Sequence, residues 1–378
     1  MQEKKAVAIV EHFKDIEDPR IERGKLHNLI DIIAIAICAV ICGADTWEDI
    51  ELFGEAKHEW LKQFLELPSD IPSHGTFGRV FSIISPVEFQ RSFLNWIKAI
   101  SESIEREVVA IDGKTSRRSY DKSKGKGAIH MVSAWATANR VVLGQVKTED
   151  KSNEITAIPE LLDILALNGC IVTIDAMGCQ KNISAKIIEK GADYVLALKG
   201  NQGTLHEDIK LFFQDAKETS FKDIHHDFYE TIDGDHGRIE TRRYSIVSDI
   251  EWLEGKADWK EIKSIGMVES EREIGDKVTK ETRYYISSLP SNAKLFGDAV
   301  RKHWGIENSL HWVLDVVFRE DECRIRKGHA AENFAVLRHI ALNLIREEKS
   351  IKRGAKGKRL KAGWDNDYLS KILCGRVI

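Results

Sequence analysis

The sequence predicts an α/β protein: a mixed sheet flanked by helices, preceded by an all-helical segment. Three observations point there. Apolar residues recur at helical spacing from residue 5 to about 100, short β-like runs alternate with amphipathic stretches between 108 and 198, and helical periodicity returns from 293 to 347. With 378 residues, of which 43% are hydrophobic, the chain is long enough for two or three domains around a sizeable core.

In the first hundred residues the sets Trp47, Ile50, Phe53, then Trp60, Leu61, Phe64, Leu65, then Phe89, Phe93, Trp96, Ile97 each mark a helical face. Breaks are expected at Asp18-Pro19, from Pro68 to Ser73 and at Ser85-Pro86, with Ser73 capping the helix that begins near Gly75. The longest apolar run, Leu29 to Ile41, falls short of the ~20 residues that span a bilayer and is expected to be a buried helix. The N-terminus, MQEKKAVAIVEHF, has no apolar signal-peptide core. Six cysteines (38, 42, 170, 179, 323, 374) form no CxxC pair and fit buried thiols in a reducing compartment. A cytoplasmic protein is expected, with no membrane partner.

After Glu107 the pattern changes. Residues 108–111 (VVAI), 129–137 and 140–147 predict three consecutive strands, the last two joined at Ala138-Asn139. A helix at Glu154–Leu167, a strand at Ile171–Ile174, a helix at Asn182–Lys190 and a strand at Tyr194–Leu198 follow. Three antiparallel strands and then alternating helix and strand match the order of the RNase H-like fold. Further on, a helix is expected at Leu205–Ala216, a polar stretch at Ser220–Asp235, and strands at 239–248, 263–270 and 279–287. Helices at 293–303, 307–318 and 330–347 complete the pattern.

Asp112 and Asp175 each close an apolar β-like run, at the strand ends where open α/β sheets place their ligand crevices. Singly, each is equally well a turn or helix-cap residue. Together they resemble part of a hard-oxygen metal site, which needs acids converging from separate elements. Glu307, on a helical pattern with Trp304, Leu310, Leu314 and Val317 available for packing, is a third candidate. It has a solvated glutamate as its alternative. His303, Glu307 and His311 also lie four apart, a spacing that suits zinc.

These residues sit in motifs that resemble a known family. DPR near Asp18, IPSHGTFGRVFS, IDGKTSR, IDAMGCQ, LKGNQ, HGRIETR and HWGIENSLHWVLDVVFRED together resemble the H-repeat-associated transposases, a branch of the DDE insertion-sequence transposases, over nearly the whole chain. The resemblance places Asp112, Asp175 and Glu307 on the family's D, D and E positions, as catalytic and metal-holding residues. It implies metal-dependent DNA cleavage and strand transfer with Mg2+, or Mn2+ as substitute. A DNA-binding remnant that no longer cuts, and a metal-dependent nuclease that never joins strands, remain alternative functions. The implied partners are DNA, both terminal inverted repeats and target, and a second copy of the chain on paired ends. The implied location is the nucleoid.

The net charge of −4 does not announce a nucleic-acid partner, so DNA would have to be met by local basic patches. Lys114, Arg117 and Arg118 after Asp112, in a stretch continuing through Lys122, Lys124 and Lys126, are candidate backbone contacts. So are Lys199, Asn201 and Gln202 in LKGNQ. His236 and Arg238 alternate with Glu240 and Arg242 on one strand face, which suits DNA or an exposed ion-pair ladder. Related enzymes carry Tyr, Arg and Lys around the glutamate; here those spacings hold Val300, His303 and Leu314, and His303 stands where the arginine contacts phosphate. Trp304 and Trp312 are expected in the core. The run from Lys349 to Lys361, including Lys352, Arg353, Lys358 and Arg359 and broken by Gly354 and Gly357, predicts a mobile basic arm on phosphates.

The expected organisation is a helical DNA-recognition domain at 1–104 and an RNase H-like catalytic domain in two parts, 105–203 and 289–348. An insertion at 204–288 separates those parts, and a basic tail occupies 349–378.

Overall fold

The computed structural model of the chain describes residues 8–100, 107–120, 128–148, 154–235 and 237–374. The first helices are α1 (Ala8–Glu11), α2 (Leu29–Cys42), α3 (Trp47–Ala56), α4 (His58–Leu61), α5 (His74–Ile83) and α6 (Pro86–Ile100). α2 is apolar on almost every side and is correspondingly buried from Asp31 to Ile41. Thr46 and Asp49 close a reciprocal capping box on α3, and the Ser73 hydroxyl accepts from Thr76 N at 3.3 Å to start α5.

Among the described residues, nine strands form one mixed sheet in the order β3-β2-β1-β4-β5-β9-β8-β7-β6. β1 (Val108–Thr115), β2 (His130–Ala136) and β3 (Val141–Thr148) are an antiparallel meander. α7 (Glu154–Ile164) leads to β4 (Ile171–Ile174), which pairs parallel with β1; α8 (Lys181–Glu189) leads to β5 (Asp193–Leu198), parallel to β4. The protein therefore has an RNase H-like α/β fold.

After α9 (Gly203–Glu218) come β6 (His226–Asp235), β7 (Arg238–Val247), β8 (Ser264–Ile274) and β9 (Lys277–Ser287). They join the same sheet, because β9 pairs antiparallel with β5 from Val195↔Ser287 to Leu198↔Tyr284. β6 replaces the polar stretch expected at 220–235. It has no apolar alternation to announce it, and is held by ten backbone pairs to β7. On the inner face of this extension Gly266 lies under Phe296, where a Cβ would strike the ring.

The chain ends with α10 (Ala293–His303), a π-helical turn (Ile306–His311), α11 (Trp312–Val316), α12 (Ala330–Glu347), α13 (Ala355–Trp364) and α14 (Asn366–Cys374). α12 is buried from Ala330 to Ile345 except at Glu332 and lies against α2, α5, α6 and β3, so the first helices and the sheet share one continuous hydrophobic core. Among the described residues no single helix is long and apolar enough to cross a membrane.

The expected mobile arm is corrected by α13 and α14, which pack on α2 and on each other. Lys358 is buried and donates to the Ile345 and Glu348 carbonyls; Arg359 is buried and donates to the Val40 carbonyl at 3.0 Å and to that of Val317. Both side chains are consumed in satisfying helix-end carbonyls, and Arg359 stacks over Phe318 at 4.1 Å. The apolar residues of α14, Tyr368, Leu369, Ile372 and Leu373, supply the buried surface that a charge count overlooks. Lys352 and Arg353 stay exposed, ahead of α13.

Candidate active site

Parallel pairing of β1 with β4 ends at Ile111↔Ile174, so Asp112 and Asp175 follow at adjacent positions on neighbouring strands. The two acids meet because the two apolar runs end in the same register. Gly113 then lets β1 pass a buried pair, His130 Nε2 to Glu154 Oε1 at 2.7 Å, which a Cβ at this position would strike. Asp175 Oδ1 accepts from Met177 N at 3.0 Å and Gly178 N at 3.3 Å, shaping the turn after β4.

Glu307 comes from the π-helical turn rather than from the α-helix expected at 307–318. The wider turn keeps Ile306, Leu310 and Leu314 buried while Glu307 stays exposed. Such turns recur at functional sites and leave no periodic signal in a sequence. Asp112, Asp175 and Glu307 line one cavity of about 250 Å3, with Lys199, Arg283 and His303 on its walls.

Burial, followed by the neighbouring charge of Asp175, raises the Asp112 carboxyl to about 7; Glu307 adds in the same direction. His311 Nδ1 lies 3.4 Å from Asp112 Oδ2, and burial together with Lys114 lowers that imidazole to about 4. His303 shares a hydrogen bond with Thr173 Oγ1 at 3.0 Å and is lowered by burial to about 4. It is thus a neutral wall of the cavity at neutral pH. The two histidines turn to different partners. Among the described residues no three His, Cys, Asp or Glu side chains stand close enough to enclose one ion, so the zinc arrangement at 303, 307 and 311 is not formed.

The other expected DNA contacts divide. Lys199 is exposed at the cavity. Asn201 and Gln202 are turned inward: their amides donate to Ala176 O at 2.6 Å and Cys179 O at 2.8 Å, bracing the turn that carries Asp175. Lys114 is also withdrawn from any ligand, with ion pairs to Asp315 at 2.7 Å, Glu320 at 2.8 Å and Asp321 at 3.5 Å. Arg117 is exposed and 3.2 Å from Asp321, while Arg118 is exposed and accepts from Arg326 Nε through its carbonyl. Arg238 lies 3.4 Å from Glu240 in an ion-pair ladder with Arg242, Asp233 and Arg301. His236, Lys122, Lys124 and Lys126 lie outside the described residues.

One wall residue carried no advance notice. Arg283 is a β9 residue whose guanidinium stacks over Trp304 at 4.7 Å, and its strand alternation was its only signal. Trp304 and Trp312 are not core: they are 37% and 57% exposed, and Trp304 lines the cavity beneath the Arg283 guanidinium.

The RNase H-like sheet thus carries one acid midway along β1, where the expected strand end at residue 111 gives way to pairing with β2 as far as Thr115, one just past β4, and a third on a later helical turn. Residues 103–344 match the family described as Transposase DDE domain, and residues 10–97 match the one described as DDE_Tnp_1-associated. The chain is 46% identical over 373 residues to the "H repeat-associated putative transposase YhhI" of Escherichia coli K12, covering 97% of this chain and 98% of the relative. It is likewise 46% identical to the "Putative transposase YncI" of Escherichia coli O157:H7, covering 97% and 94%. The chain belongs to the DDE transposase family, in its H repeat-associated branch. Members of that family act on DNA and typically use divalent metal.

Proposed function

We propose that this protein is a DDE transposase that cleaves DNA at the ends of an insertion-sequence-like element and joins the freed 3′ end to target DNA. Support comes above all from the convergence of Asp112, Asp175 and Glu307, from three separate elements, on one cavity. Their donor chemistry fits a divalent cation. All three offer hard oxygens, burial holds Asp112 up near 7 beside the Asp175 charge, and among the described residues none of the three is ion-paired with Lys or Arg.

Asp112, Asp175 and Glu307, which face one cavity but stand too far apart to enclose an ion as they are, would draw together to hold Mg2+, with Mn2+ as substitute. The metal supplies activation of a water or 3′-hydroxyl and stabilisation of the leaving oxygen. The chain's own groups do the rest. Lys199, exposed at the cavity, draws the phosphate backbone to its wall, where Arg283 is held by Glu281. Neutral His303 and the Asn201 and Gln202 amides keep Thr173 and the Asp175 turn in place. In this reading α1–α6 recognise terminal repeats, two copies act on paired ends, and the protein works on the nucleoid in the cytoplasm.

The test supplies purified protein with Mg2+ or Mn2+ and labelled DNA carrying the inverted repeats that flank its coding sequence. Asp112→Ala and Asp175→Ala serve as controls. Metal-dependent nicking at the repeat ends and joined products, both lost in the variants, are expected. Binding without cleavage would point to a remnant, and cleavage without joining to a nuclease. Undiminished activity in both variants would refute the site.

A further inference from the structure

Lys114 follows Asp112 by two residues on β1 and therefore points to the same face of the sheet. Its side chain is 11% exposed and reaches three carboxylates, of Asp315, Glu320 and Asp321, all on the segment that follows Glu307. The same segment is laced to the end of β1 by further contacts. Ser116 Oγ donates to Glu320 O at 3.4 Å, Arg117 N donates to Asp321 Oδ1 at 3.3 Å, and Arg326 Nε donates to Arg118 O at 3.1 Å. From the other side Arg338 of α12 lies 3.7 Å from Glu320. Lys114, Arg117 and Arg338 face Asp315, Glu320 and Asp321, so the local charges balance and Lys114 has none to spare for a phosphate.

We infer that Lys114 is a positioning residue: it docks the segment carrying Glu307 onto the strand carrying Asp112, and so sets how far apart those two acids stand. The π turn packs directly against β1, and α11 runs from that turn to the carboxylates that Lys114 grips. A helix of five residues between the acid and its anchor leaves little slack. Loosening the anchor frees Glu307 to move relative to Asp112 without touching either side chain. The catalytic consequence rests on the transposase reading; the docking itself does not.

Two readouts separate these. In Lys114→Met, hydrogen exchange should quicken at least tenfold in peptides covering 306–316 and 320–322, with α2 peptides unchanged. Lys114→Arg should restore most of the protection. In the same variant, metal-dependent cleavage should fall at least a hundredfold while DNA affinity stays within twofold and its salt dependence is unchanged. A direct phosphate contact predicts the reverse: unaltered exchange, weaker binding and a salt slope reduced by about 0.9. That result would overturn the inference. If the methionine variant does not fold, Asp315→Asn and Glu320→Gln are read in the same way, and unaltered exchange in both again overturns it. A wild-type protein that neither binds nor cuts DNA would remove the transposase reading, leaving the exchange measurement to decide the docking.

Discussion

At the scale of single residues, the buried charges set how the protein responds to acid. Burial opposes ionisation of Glu320, yet the Lys114 and Arg338 charges outweigh it and lower the carboxyl to about 2. An acid whose folded value lies below its ordinary 4.5 contributes stability above that value and loses it as pH falls toward 2. His339, buried beside the same group, is lowered to about 4. The unfolded chain therefore takes up its proton between 6.5 and 4 while the folded chain does not, and stability declines over that window too. His303 and His311, also lowered to about 4, act in the same window, while Asp112, raised to about 7, acts against them, so urea midpoints should fall from pH 6.5 to pH 3. His339→Gln should make the slope between 6.5 and 4 shallower by one group's share, and a slope unchanged in the variant would contradict the assignment.

At the scale of elements, the last two helices are structural. Arg359→Met would leave the Val40 and Val317 carbonyls without their donor and Asp45, 3.5 Å away, without its partner. A loss of about 3 kcal/mol is expected, read as a lowered urea midpoint. Lys352→Ala, at an exposed position, should change stability by less than about 0.5 kcal/mol. The contrast shows what could be read in advance. Strands β1 to β5 and helices α10 and α12 announce themselves, because each buries an apolar face with a regular period. β6 does not, since its pairing with β7 rests on backbone and on ion pairs such as Glu230–Arg243 rather than on a buried apolar face. The π turn defeats periodicity by definition, and the tail misleads because its basic residues outnumber the apolar ones of α14 that decide its place.

For the whole molecule, the acids at 112 and 175 are legible because each directly follows an apolar run and the two runs pair in parallel as far as Ile111 and Ile174; the walls around them are not. Arg283 arrives from a strand more than a hundred residues away, and Asn201 and Gln202 serve the turn rather than the ligand, which only tertiary packing decides. If the three acids hold a cation, Mn2+ should raise the unfolding temperature without any DNA present. At a hundred times its dissociation constant the gain is about 2.7 kcal/mol. Asp112→Ala should abolish that shift, and an equal shift in the variant would place the ion elsewhere.

The joining of α13 and α14 to α2 also bears on how the chain is made. α2 emerges from the ribosome more than three hundred residues before the helices that cover it. Until synthesis reaches them, its Ile-rich surface has only a partial lining, and the first helices cannot attain native protection. Ribosome-bound chains stalled at residue 348 should remain protease-sensitive in the α2 region, whereas chains extended through residue 374 and tethered by a linker should resist. Completion of the core around α2 would then wait on helices made more than three hundred residues later, tying a late stage of synthesis to the moment at which this protein becomes competent to act.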